Sequence, residues 1–166
     1  SPWVVTMEAL DEFRVPGPEQ DPKPLPYLCS EGNWGYDIEL NVKLKTAATA
    51  QAATISAVNF RTMYWNICQQ IAHHTSNGCN LRIGDLIASG TVSGADPSSY
   101  GSLLELSWRG TKPVRLPSGE ERTFLKDGDT VIMQGCCKGR GYTVGFGDLV
   151  GTVLPAKVDA SLVVER

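Results

Sequence analysis

The residues able to do chemistry are few, and most lie in the middle third of the chain. The only two histidines, His73 and His74, are adjacent. Helical metal ligands sit three or four residues apart, so these neighbours cannot converge on one ion from a helix. A structural or surface role is the simpler expectation for both. Glu105 is a lone acid in Leu103-Leu104-Glu105-Leu106-Ser107-Trp108. Read as a strand, this stretch puts Leu103 and Ser107 on the face of Glu105, with Leu104 and Leu106 opposite. The carboxylate is then either solvated on a sheet face or buried against a partner, because burial alone is costly. Thr91 lies in Ser89-Gly90-Thr91-Val92-Ser93-Gly94, just after an expected strand entered at Leu86-Ile87-Ala88. Small hydroxyl residues flanked by glycine leave backbone N–H groups open to an anion such as a carboxylate. The alternative is a plain polar turn.

The five cysteines, Cys29, Cys68, Cys79, Cys136 and Cys137, have an odd count and scattered spacing, unlike a disulfide framework. No C-x-x-C pair exists to frame a zinc ribbon. All five read as reduced, mostly buried small hydrophobes, and Cys136 and Cys137 should point to opposite faces of a strand. Gly139, Gly141, Gly145 and Gly147 are dense, yet no helix follows to complete a phosphate cradle. Tight β-turns fit them better. There is no G-x-S-x-G, H-E-x-x-H or P-loop motif.

These residues need a scaffold. Tyr36, Ile38, Leu40, Val42 and Leu44 alternate with Asp37, Glu39, Asn41, Lys43 and Lys45, the period of a half-buried strand. The Ala/Thr stretch 46–54 reads as a turn entering a partner strand. Ser56 is expected to cap a helix from Ala57 to about His74, carrying Phe60, Met63, Ile67 and Ile71 on one stripe and stopped by Asn77-Gly78. Thr6 can cap a brief helix, with Glu8 in its first turn. Residues 14–35, rich in proline and glycine, read as an extended loop. After residue 85, short strands are expected at Leu103–Trp108, Val114–Leu116, Arg122–Leu125, Thr130–Met133, Tyr142–Val144 and Leu149–Leu154. Turns at Pro117-Ser118-Gly119 and Asp127-Gly128-Asp129 break this region. The tail, 157–166, reads as frayed. The fold class is α+β and mostly β: a roll or sandwich with one amphipathic helix packed on it.

Composition bounds the rest. The chain has 166 residues, 15 Lys plus Arg and 18 Asp plus Glu, hence a formal charge of −3. That balance argues against non-specific nucleic-acid binding. Hydrophobic residues at 42% and charged residues at 20% are ordinary globular usage. No run approaches ~18 apolar residues, so no membrane helix is expected. The N-terminal Ser-Pro-Trp-Val-Val lacks the layout of a signal peptide, and without an initiator Met it reads as the start of a piece cut from a longer polypeptide. No Asn begins an N-x-S/T triplet, which fits a cell interior.

Ordered strings along the chain then resemble a known family. S-P-W-V-V-T at 1–6, L-R-I-G-D-L-I-A-S-G-T at 81–91 and G-F-G at 145–147 resemble the fumarylacetoacetate hydrolase superfamily. M-Y-W at 63–65, H-H-T-S-N-G-C-N-L-R at 73–82, L-E-L-S-W-R-G-T-K-P at 104–113 and V-L-P-A at 153–156 resemble its fumarylacetoacetate-cleaving members. Ile83 departs from the motif, which usually has Pro there. The resemblance implies that residues 1–166 are the C-terminal portion of a catalytic domain with a β-rich roll. It implies metal-dependent hydrolysis of a carbon–carbon bond of 4-fumarylacetoacetate to fumarate and acetoacetate, the last step of tyrosine and phenylalanine catabolism. It further implies a cytoplasmic homodimer using Ca²⁺ and/or Mg²⁺. In the family the metal carboxylates and the catalytic His precede the S-P-W motif. The resemblance therefore implies no metal ligand here and little activity for the chain without its upstream portion. Thr91 matches the family Thr that hydrogen-bonds a substrate carboxylate. Glu105 matches the Glu that pairs with the catalytic His, which activates water. Two alternatives stand beside this: an acylpyruvate hydrolase or oxaloacetate decarboxylase of the same superfamily, and a non-catalytic β-rich dimerisation module.

Overall fold

A computed structural model describes residues 1–157; the expected tail lies almost wholly outside them. The elements in chain order are α1 (Met7–Leu10), β1 (Arg14–Val15), β2 (Gly35–Tyr36), β3 (Glu39–Lys45), β4 (Ala53–Asn59), α2 (Ile67–Thr75), α3 (Leu103–Leu106), β5 (Val114–Arg115), β6 (Glu121–Arg122), β7 (Thr130–Lys138) and β8 (Thr143–Thr152). The fold is mostly β, and every strand pairing is antiparallel. The main sheet runs β4-β3-β7-β8; β1-β2 and β5-β6 form small two-stranded sheets.

The alternating segment supplies the centre of the main sheet. Register pairs Leu40 with Val58 and Gly135, and Val42 with Ser56 and Met133. Directly paired residues share a face, so Ile38, Leu40, Val42, Leu44, Met133, Gly135 and Cys137 form one largely apolar surface. The same face is covered unevenly. At one end Leu10, Phe13, Tyr36 and Cys137 are buried together, with Ile67, Phe60 and Val144 packed on them. Leu44 is buried at the other end. Between the ends Ile38, Leu40 and Val42 are only half-buried, because the middle of the strand floors a cavity.

Several expectations are corrected. The helix foreseen over 57–74 is shorter. Residues 53–59 are β4, hydrogen-bonded along β3, and Ser56 is a buried strand residue rather than a cap. The actual cap is Asn66, in a reciprocal capping box with Gln69. Gln69 is itself buried and also donates to Gln20 Oε1 (2.8 Å) and Leu28 O (3.0 Å). The stretch Leu103–Leu106 is a helical turn, not a strand. Its Ser102-Leu-Leu-Glu105 string places a cap and an acid three residues apart. Residues 84–96 form no strand. The two strands expected at 142–144 and 149–154 are one, β8, with an irregular register opposite Gln134–Cys136. This keeps Gly145 and Gly147 inside a strand, whereas Gly139–Tyr142 is a tight turn. Of the five free cysteines only Cys137 is buried; Cys29 and Cys79 are exposed.

Other readings stand. Thr6 accepts from the Ala9 N–H at the start of α1, α2 ends just before Asn77-Gly78, and β5 and β6 flank the Pro117–Gly119 turn. Residues 14–35 are a loop carrying only β1 and a short 3₁₀ turn at Pro26–Leu28, before Gly35 opens β2. Among the described residues no helix is long and apolar enough to cross a membrane.

Candidate functional site

The half-covered middle of the sheet opens into a concave space of about 860 Å³. Leu40, Val42, Val58 and Met133 contribute its apolar floor. Its rim comes from two segments without regular structure. The first is the N-terminus: the Ser1 hydroxyl donates to Phe146 O, and Trp3 lies against Gly147. A Cβ at Gly147 would sit 2.2 Å from Trp3 Cδ1, and its φ of +69° favours glycine. The second is Ala88–Val92, which carries Thr91 to the cavity wall.

Glu105 is exposed and lies at the start of α3, where a carboxylate suits the helix dipole. Its carboxylate is tied down from two sides. Ser93 Oγ lies 3.0 and 2.9 Å from its two oxygens, and Ser102 Oγ donates to Oε2 at 2.8 Å. The backbone completes the arrangement. Gly101 N–H donates to Ser93 Oγ (3.0 Å), and Glu105 N–H donates to Ser102 Oγ (3.2 Å).

Thr91 and Glu105, 14 positions apart (105 − 91) in the chain, are thus brought into one assembly. The link is Ser93, two residues beyond Thr91, together with Gly101. A Cβ at Gly101 would sit 2.2 Å from Val92 O and 2.7 Å from Thr91 Cγ2. The Thr91 segment therefore rests directly on the Gly101 backbone. Neither alternative foreseen for Glu105 describes it fully: it is reachable by solvent, yet fixed by two hydroxyl donors.

Sequence reasoning missed Ser93 and Ser102. The S-x-x-E spacing could have revealed Ser102; Ser93 had no local signal, since its contact to Glu105 crosses a loop. His73 and His74, at the end of α2, line a second groove that shares Ala88 and Ser89 with the Thr91 cavity. Near His74, Cys79 Sγ is 3.4 Å from its Nε2. Ile83 is fully exposed. The turn holding it closes without proline, through Asp85 N–H to Arg82 O (3.1 Å) and Arg82 N–H to the Asp85 carboxylate (2.8 Å).

Burial pushes the Cys137 thiol up to about 11, and it also raises Tyr36 and Cys68. Among the described residues no three His, Cys, Asp or Glu side chains gather to hold a metal ion.

Residues 1–154 match the family model described as fumarylacetoacetate (FAA) hydrolase C-terminal. Over 156 residues the chain is 61% identical to a fumarylacetoacetase of Rattus norvegicus, covering 94% of this chain and 37% of that protein. It is 58% identical to the Homo sapiens fumarylacetoacetase and 53% to that of Arabidopsis thaliana, each over 94% of this chain and 37% of the relative. The chain therefore spans 37% of the length of these curated relatives. With a family model matching residues 1–154, nearly its whole length, the chain belongs to the fumarylacetoacetate hydrolase C-terminal family.

Proposed function

We propose that residues 1–166 are the C-terminal portion of the catalytic domain of an enzyme that hydrolyses 4-fumarylacetoacetate to fumarate and acetoacetate. The observation that carries this reading is the joining of Thr91, on the wall of an apolar-floored cavity, to a carboxylate fixed by two hydroxyls. In the reaction, the oxygen of water adds to a carbonyl carbon of the diketo group. The carbon–carbon bond breaks with its electron pair on the acetoacetate fragment, which leaves as an enolate and takes a proton. In this reading Thr91 donates a hydrogen bond to a carboxylate end of the substrate. Glu105 accepts from an imidazole N–H of a His outside this chain, holding the ring in place and stabilising it once protonated.

The family implies a divalent metal. Among the described residues no three His, Cys, Asp or Glu side chains gather into a ligand set for one. Ca²⁺ or Mg²⁺ would be held by the upstream polypeptide, which would also supply the His. The same reading makes the assembled enzyme a cytoplasmic homodimer and the isolated chain inactive.

The test is fumarylacetoacetate hydrolysis by the complete enzyme with Mg²⁺ or Ca²⁺, and by this chain with and without the upstream polypeptide. Glu105→Gln is expected to lower kcat by roughly 10²–10⁴-fold, because the His acting as acid–base loses the carboxylate that orients it. Thr91→Val is expected to act mainly on KM. Turnover by the isolated chain at the complete enzyme's rate would refute the split site, and faster turnover of acylpyruvates would assign the other superfamily activity.

A further inference from the structure

We propose that Ser93 and Ser102 are positioning residues for Glu105, and that Ser93 also couples it to the segment carrying Thr91. This deepens the reading of Glu105 given above and rests on it.

A hydroxyl has one proton to donate and lone pairs to accept with. Ser93 Oγ accepts from Gly101 N–H, and Ser102 Oγ accepts from Glu105 N–H. With one backbone N–H donating to each, both hydroxyls direct their single proton at the one carboxylate beside them, over 2.8–3.0 Å. The two donors come from different chain segments, so they restrain both the position and the rotation of the group. An ionised carboxylate has about four acceptor sites, and two hydroxyl protons leave room for an imidazole N–H. Both serines therefore orient the group that orients the base.

Ser93 has a second consequence. It lies two residues from Thr91 on a segment seated against Gly101 without room for a Cβ. The substrate-side wall and Glu105 thus share one anchor. Ser102 belongs to α3 alone, as its N-cap.

This asymmetry predicts a split that a merely structural role would not produce. In the complete enzyme, Ser102→Gly removes the donor while retaining most of the capping preference. It is expected to lower kcat roughly 10–100-fold, the usual effect of losing an outer hydrogen-bond partner, with KM unchanged. Ser93→Ala is expected to lower kcat and raise KM together. Ser93→Thr and Ser102→Thr keep the hydroxyl and should restore both constants, and they serve as the test if the other variants fail to fold. Steady-state kinetics on 4-fumarylacetoacetate, with Glu105→Gln in parallel and thermal unfolding of each variant, reads these outcomes. Folded Ser93→Ala and Ser102→Gly enzymes with kcat within about twofold of wild type, beside an impaired Glu105→Gln, would overturn the role of the serines alone. Folded threonine variants as impaired as those lacking the hydroxyl would do the same. A fully active Glu105→Gln would instead overturn the reading of Glu105 and this proposal with it.

Discussion

Replacing Asp129 by alanine should be among the most damaging single changes to stability in this chain. Asp129 opens the way into β7, and its side chain is wholly buried. Arg122 on β6 is 8% exposed and meets it with two hydrogen bonds, Nε to Oδ2 at 2.8 Å and Nη2 to Oδ1 at 3.0 Å. The Lys126 N–H adds a third at 2.9 Å. Truncation leaves the guanidinium buried, with Glu120 at 3.4 Å as its remaining carboxylate. Breaking a buried pair by removing one partner costs about 3–5 kcal/mol. For a domain of this size that is a loss of roughly 6–20 °C in Tm. Asp129→Asn keeps one oxygen, which in the Oδ2 position still accepts from Arg122 Nε and the Lys126 N–H, and should cost about 1–3 kcal/mol. Replacing both partners, as Arg122→Met with Asp129→Leu, should recover most of the loss. The hydrogen bonds from Arg122, joined by that of the Lys126 N–H, hold the Asp129 carboxyl below its ordinary value of 3.8 despite its burial. Its folded pKa lies below its unfolded one, so its contribution is fully present above about pH 4 and fades as pH falls through the folded value. Thermal unfolding of wild type, Asp129→Asn and Asp129→Ala at neutral and acid pH measures this. A cost below about 1 kcal/mol for Asp129→Ala, or a gap to wild type that widens on acidification, would refute the reasoning.

Gly101→Ala should displace the Val92 carbonyl and the Thr91 methyl, since its Cβ would lie 2.2 and 2.7 Å from them; substrate kinetics should record a higher KM together with a lower kcat. Cysteine labelling should follow burial. Maleimide at neutral pH should modify the exposed Cys29 and Cys79 quickly, and Cys137, fully buried with its thiol pushed up to about 11, only on unfolding. Peptide mapping of a labelling time course reads the order, and early modification of Cys137 would contradict its burial in the core.

Much of the scaffold was legible from local signals. The alternation from Tyr36 to Lys45 became the centre of the main sheet because period two matches the pleat whatever lies beside it. The Pro117–Gly119 and Asp127–Asp129 turns are likewise set by their own residues. The ordered motifs pointed to the family, which the match over residues 1–154 shows. What the chain could not settle locally was decided by neighbours. Phe60, Met63, Ile67 and Ile71 have helical spacing, yet β3 recruits residues 53–59 as a partner strand, and a helix begins only where Asn66 and Gln69 cap each other. Leu103–Trp108 reads as a short strand but has no strand beside it, so Ser102 and Glu105 close a helical turn. The restraint on Glu105 by Ser93, the seat of Thr91 on Gly101 and the cavity over the middle of β3 all join residues distant in the chain. Periodicity and capping act within a few residues, whereas these contacts exist only once the segments that make them have packed together.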